Sequence, residues 1–155
     1  MDEQMLMKHY GQSTQCSKAV KTREWIGVRL NRLVGLLGYT KILLVARGEF
    51  IHANPSDPIH HGCGKVTVYH DVVTLGEDFA VGPGPAFHVY LVLEKNVTIS
   101  TKVDETMYVD LGRLRSFKGS QTYTVPAGVD LKYGSVVIWC EKFAVLICPA
   151  TLSFY

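Results

Sequence analysis

From about Ile42 to the C-terminus, short apolar runs alternate with clusters of Gly, Pro, Asn and Asp, and no helical run separates them. This pattern constrains the fold more than any other feature. Short apolar segments bounded by turn formers bury themselves by pairing sideways, so they read as strands. "KILLVARGEFIH" is the first candidate, ended by the turn-forming "ANPSDP". "GKVTVYH" alternates, with Val66 and Val68 on one face. "VVTLGEDF" leads into "VGPGP", a stiff loop that cannot join a central ladder. In "AFHVYLVLE" Phe87, Val89, Leu91 and Leu93 share one face, and His88, Tyr90 and Val92 the other. Both faces are largely apolar, which predicts a central strand. With "TMYVDLG", "QTYTVPAG" and "SVVIWCEKFAVLI" the count reaches about eight or nine short strands, and the expected fold is all-β, an antiparallel β-sandwich.

One domain of this kind accounts for residues 41–155, and the 47% hydrophobic and 19% charged content of the full 155-residue sequence is that of a globular chain with a real core. A net charge of +2, without basic clusters interleaved with aromatics, gives no reason to expect a nucleic-acid partner.

Residues 1–40 form a different unit: a polar tail, then an amphipathic helix. Ile26, Leu30, Leu33, Val34 and Leu37 fall on one helical face. The stretch "IGVRLNRLVGLLGYTKILLVA" is broken by Arg29, Arg32 and Lys41, so no uncharged run reaches the roughly 18 residues of a membrane span. The stretch reads as a helix docked on the β-domain, as a helix on a membrane surface with Trp25 as its interfacial anchor, or as disordered chain. The opening "MDEQMLMKHY" lacks the basic and apolar regions of a signal peptide. The residues thus leave the compartment open.

Four cysteines, at 16, 63, 140 and 148, show no C-x-x-C and no paired zinc spacing. If Glu141 and Lys142 make the closing hairpin turn, Ser135 faces Cys148, about 17 Å along the ladder from Cys140. A Cys140–Cys148 disulfide, which needs Cα atoms about 4.4–6.8 Å apart, is then excluded. Cys148 reads as a packed small hydrophobe. Cys140, at a strand end beside Trp139 and a charged turn, is either a buried inert thiol or a reactive one.

In "PIHHGCGK", His61 and Cys63 point to the same side of an extended chain, and imidazole with thiolate suits a transition metal. The plainer reading is a glycine-rich turn with surface histidines. Hydrolytic motifs are missing: no G-x-S-x-G elbow, no H-E-x-x-H and no P-loop. Carboxylates including Asp110 are scattered among turns, where spacing reveals no catalytic pair.

Several of these stretches together resemble one family, the DM-13 domain, often labelled an electron-transfer domain. The resemblance runs from about Gly48 to Leu152, through "GEFIHANPSDPIHHGCGKVTVYH", "GPGPAFHVYL" and "VDLGRLRSFKGSQTYTVPAGVDLKYGSVVIWCEKFAV". It implies a small β-sandwich found beside DOMON modules, which can carry haem, and beside b-type cytochrome membrane domains. A redox partner protein or membrane cytochrome would then be the partner. Such domains are usually extracytoplasmic or membrane-anchored. The family's cysteine, proposed as a bare thiol or as a ligand to a prosthetic group, maps onto Cys140. Trp139 and His88 are the residues expected to accompany it at a haem or transition-metal site, with His61 and Cys63 as a separate metal-ligating pair. Cys63 stands where the family commonly has serine. Two functions compete: a redox module centred on Cys140, and a non-redox binding or structural sandwich in which Cys140 only packs. A turnover enzyme has less support, because no base and nucleophile can be named.

Overall fold

A computed structural model describes residues 43–130 and 132–155. The N-terminal unit expected at 1–40, the amphipathic helix expected within it, and Cys16 lie outside the described residues. No helix among the described residues is long and apolar enough to cross a membrane.

The strands are β1 (Leu44–Phe50), β2 (Gly62–Tyr69), β3 (Val72–Leu75), β4 (Ala80–Val81), β5 (Phe87–Val92), β6 (Tyr108–Arg113), β7 (Gln121–Thr124), β8 (Ser135–Cys140), β9 (Val145–Thr151) and β10 (Ser153–Phe154). A single 3-10 turn, Val103–Glu105, is the helical element among the described residues. All ladders are antiparallel. The expected all-β antiparallel architecture therefore holds.

The expected pair of stacked sheets is replaced by one continuous hydrogen-bonded sheet in the order β6-β5-β8-β9-β1-β2-β3-β7, with β10 on β1 and β4 on β2. This sheet curls until its two edges nearly meet. Residues 114–120 bridge the gap: the Leu114 amide donates to the Phe87 carbonyl at 2.8 Å, and the Val81 amide to the Phe117 carbonyl at 2.9 Å. The Arg115 amide also reaches the Tyr123 hydroxyl at 3.2 Å. Closing a sheet removes exposed edges, which is the physical advantage over two open layers.

Alternation along the strands produces two cores. The inner one holds Val66, Val68, Val73, Leu75, Phe87, Val89, Leu91, Ile138 and Cys148, among others. A smaller outer cluster, Tyr90, Val92, Val97, Val103, Val137, Trp139 and Leu146, draws Val97 and Val103 from the segment between β5 and β6. This explains why β5 is apolar on both faces. It is central, with β6 on one side and β8 on the other.

The closing hairpin differs from the two-residue turn expected at Glu141–Lys142. Residues 141–144 make the turn and Cys140 pairs with Val145. A bulge between Ile138 and Trp139 brings Ile138 opposite Cys148 and Ser135 opposite Thr151. Ala144, the last residue of this four-residue turn, sits at φ 51°, in the left-handed region. Cys140 and Cys148 are both free thiols, as the ladder argument anticipates.

Candidate functional site

β5 and β8 run side by side with His88 opposite Trp139 and Phe87 opposite Cys140. Successive residues of a strand point to opposite faces, whereas directly opposed residues share one. Cys140 consequently points inward with Phe87, and Trp139 and His88 point outward. The structure does not gather the three into one site.

On the inner side, Cys140 is 2% exposed and its thiol donates to the Pro85 carbonyl at 3.2 Å. Pro85 is itself exposed, so the sulfur is covered by the Gly82–Ala86 loop at that point. The loop is pinned again one residue on, where the Glu141 amide donates to the Ala86 carbonyl at 3.0 Å. Ala86 is held at φ 54°, unusual for a residue with a Cβ. Gly84 is required because a Cβ there would run into the Phe87 ring. An axial haem ligand needs an open face on its sulfur. Cys140 instead faces a backbone carbonyl within the core, and its surroundings do not fit that role.

Cys148 is sealed more deeply. It is fully buried, and burial pushes its thiol far above the usual range. Gly62 faces it so closely that an added Cβ would fall on the Cys148 side chain. The sequence reading of Cys148 as packing agrees with this environment.

The outer side carries the polar chemistry. His88 Nδ1 lies 3.0 and 3.1 Å from the two carboxylate oxygens of Asp110, and its Nε2 lies 3.3 Å from Glu141 Oε2. The Tyr90 hydroxyl donates to Glu141 Oε1 at 2.7 Å. Burial, followed by that hydrogen bond and the charge of Glu141, pushes the Tyr90 phenol well above its ordinary value. Tyr108 stacks on Tyr90 with ring centres 4.4 Å apart and planes 8° from parallel. His88 meets the Tyr90 ring edge to face at 6.3 Å.

A bulge makes this cluster. Between His88 and Tyr90 the β5–β6 register shifts, so that His88 faces Arg113 while Tyr90 faces Asp110. Gly112 takes φ 117°, and its amide donates to Asp110 Oδ1 at 2.8 Å. Bulges re-aim side chains, and here Asp110 is turned toward His88. Sequence reasoning named His88 but missed Asp110 and Glu141. Pleat parity could have placed Glu141 on the outer face, but no local pattern reveals the bulge.

The "PIHHGCGK" run lies elsewhere, on the approach to β2. His60 Nδ1 is 2.6 Å from Asp57 Oδ2. Burial tends to raise the Asp57 carboxyl, but hydrogen bonds from His60 and Ile59 outweigh it and hold the group below its ordinary value. His61 is half-buried, and burial lowers its pKa. Neither His61 Nδ1 nor His52 Nε2 has a hydrogen-bond partner among the described residues. Cys63 is not one of the free thiols and has a partner interaction of its own. Among the described residues, His61 and Cys63 do not enter a set of three converging metal-ligating groups. His88, Asp110 and Glu141 do.

A nearly closed antiparallel sheet with one loop-covered thiol and an outer histidine–carboxylate–tyrosine cluster defines a small all-β domain with groups suited to redox or ligand chemistry. The family model described as "Electron transfer DM13" matches residues 55–152, and the chain belongs to that family. That membership points to a redox-related role. No curated protein and no solved structure matches the chain.

Proposed function

We propose that the domain is an electron-transfer module in which Cys140 is the redox-active thiol, reached when the Gly82–Ala86 loop lifts, with another redox protein as partner. The observation that carries this reading is the placement of Cys140. It is a free thiol at a strand end, hydrogen-bonded to the carbonyl of an exposed loop residue, whereas Cys148 is enclosed on all sides. A thiolate is the reactive form, so loop opening must both expose and hydrate the sulfur. The chemistry is thiol–disulfide exchange: the Cys140 thiolate attacks a disulfide sulfur, a mixed disulfide forms, and the second sulfur leaves as a thiolate.

Incubating the native protein with oxidised glutathione and reading intact mass and peptides tests this. One glutathione adduct on Cys140, lost in Cys140→Ser, is the expected result. A second reading, a non-redox binding or structural module, draws on the 2% exposure of Cys140 and its satisfied thiol. Absence of any adduct while the fold is intact favours that second reading.

A further inference from the structure

The geometry points to a divalent metal site on the outer face, formed by His88, Asp110 and Glu141 and suited to a first-row transition ion. It goes beyond the thiol reading and does not depend on it.

The three groups come from separate parts of the chain: β5, the β6 bulge and the turn after β8. One ligand atom from each lies within 4.8 Å of the others. The carboxylates now meet different ring nitrogens, Asp110 at Nδ1 and Glu141 at Nε2. An ion held through one nitrogen therefore requires the other carboxylate to swing around the imidazole, to bring a nitrogen and two oxygens about 2.0–2.2 Å from it. The donor set sets the class of ion. Calcium and magnesium take oxygen ligands, whereas an imidazole with two carboxylates suits zinc, cobalt, iron or manganese. Three protein ligands leave positions for water or a small ligand, which agrees with the exposure of Asp110 and Glu141.

Two further features separate this arrangement from an ordinary surface ion pair. Among the described residues, neither carboxylate has a lysine or arginine partner; His88 alone stands between them. Lys142, next to Glu141 in sequence, places its ammonium 5.5 Å over the Phe143 ring. Two carboxylates about one imidazole therefore leave negative charge that a divalent cation would neutralise. The ligands are also held from behind. The Gly112 amide fixes Asp110 Oδ1, and the Tyr90 hydroxyl fixes Glu141 Oε1, leaving Oε2 toward His88. Outer hydrogen bonds of this kind orient metal ligands.

The test is titration of the full-length protein with Co2+, followed by calorimetry and the visible spectrum. One ion should bind, with no thiolate charge-transfer absorption, and Cys140→Ser should bind it equally well. His88→Gln, Asp110→Asn and Glu141→Gln should each weaken binding by more than about 100-fold, and Tyr90→Phe by about tenfold. Circular dichroism of each variant checks its fold. Mn2+ added to the native protein supplies a test free of mutations: the backbone amides of His88 and Gly112 should broaden first in its NMR spectrum. No binding of Co2+, binding unchanged in Asp110→Asn and Glu141→Gln, or broadening centred on another part of the molecule overturns the assignment. A charge-transfer band lost in Cys140→Ser does so too. Failure of the glutathione experiment would leave this result untouched, so the two readings fail separately.

Discussion

The two faces of the β5–β8 ladder differ by one step of the pleat yet hold opposite kinds of chemistry. On the inner face Phe87 and Cys140 oppose each other within the large core, with Cys148 behind them on β9. On the outer face His88 and Trp139 oppose each other beside a tyrosine, two carboxylates and solvent. Adjacency in sequence is thus a poor guide to a shared site in a strand. Trp139, Cys140 and Glu141 are consecutive, but Cys140 is separated from its neighbours by the thickness of the sheet. The inner face is governed by packing and the outer face by hydrogen bonds and charge, and perturbations should divide accordingly.

The largest effect is expected on the inner face. Gly62→Ala forces a Cβ onto the Cys148 side chain, inside a core that cannot yield. Overpacking of this kind costs about 3 kcal/mol, and chemical denaturation should show it. Cys148→Ser follows at about 2 kcal/mol, because a hydroxyl replaces a fully buried sulfur. Neither change should alter Co2+ binding on the outer face. If either did, the two faces would be coupled rather than independent.

Smaller changes are expected outside. Tyr90→Phe removes the hydrogen bond to the Glu141 carboxylate and should cost about 1.5 kcal/mol. The ring remains to stack on Tyr108, so a loss well above that value would mean that the hydroxyl also organises the outer cluster.

Alkaline titration sharpens the contrast further. Cys148 and Tyr90 are both held neutral in the folded state, with pKa values raised above those of the unfolded chain. Once the unfolded chain ionises and the folded one does not, unfolding gains free energy as pH rises. Stability should therefore fall first above about pH 8.5 through Cys148, then above about pH 10 through Tyr90. Denaturation midpoints measured against pH should lose the first phase in Cys148→Ala and show a smaller second phase in Tyr90→Phe, the remainder coming from Tyr123, whose phenol burial also raises.

Much of this fold is legible in the sequence. Period-two alternation places Phe87, Val89 and Leu91 opposite His88, Tyr90 and Val92, and the structure keeps that division. Two apolar faces mark β5 as central, which it is. Closure into a single sheet was not legible, because it depends on how residues 114–120 cross from β6 to β7. The hairpin turn spans 141–144 rather than two residues, with Ala144 and not a glycine in the left-handed region. The bulge between Ile138 and Trp139 then shifts the register once more without a glycine or proline to signal it. Asp110 resembled any other turn carboxylate for the same reason: its role depends on a register shift seen only in the paired strands. His88 is legible as a ligand candidate, but of its expected companions Cys140 lies on the inner face, and its outer-face neighbours include Asp110 and Glu141.

Cys140 and Cys148 are almost equally buried, but one lies under an exposed loop and the other under a packed core. Alkylation of the native protein across pH 6–9, read cysteine by cysteine by mass spectrometry, measures that difference directly. The range brackets the free-thiol pKa of about 8.5. Cys140 should be labelled faster than Cys148 throughout, with a rate that climbs with pH, while Cys148 reacts only as fast as the whole protein unfolds. Equal protection of the two, both tracking global unfolding, would contradict the account and leave Cys140 a core residue.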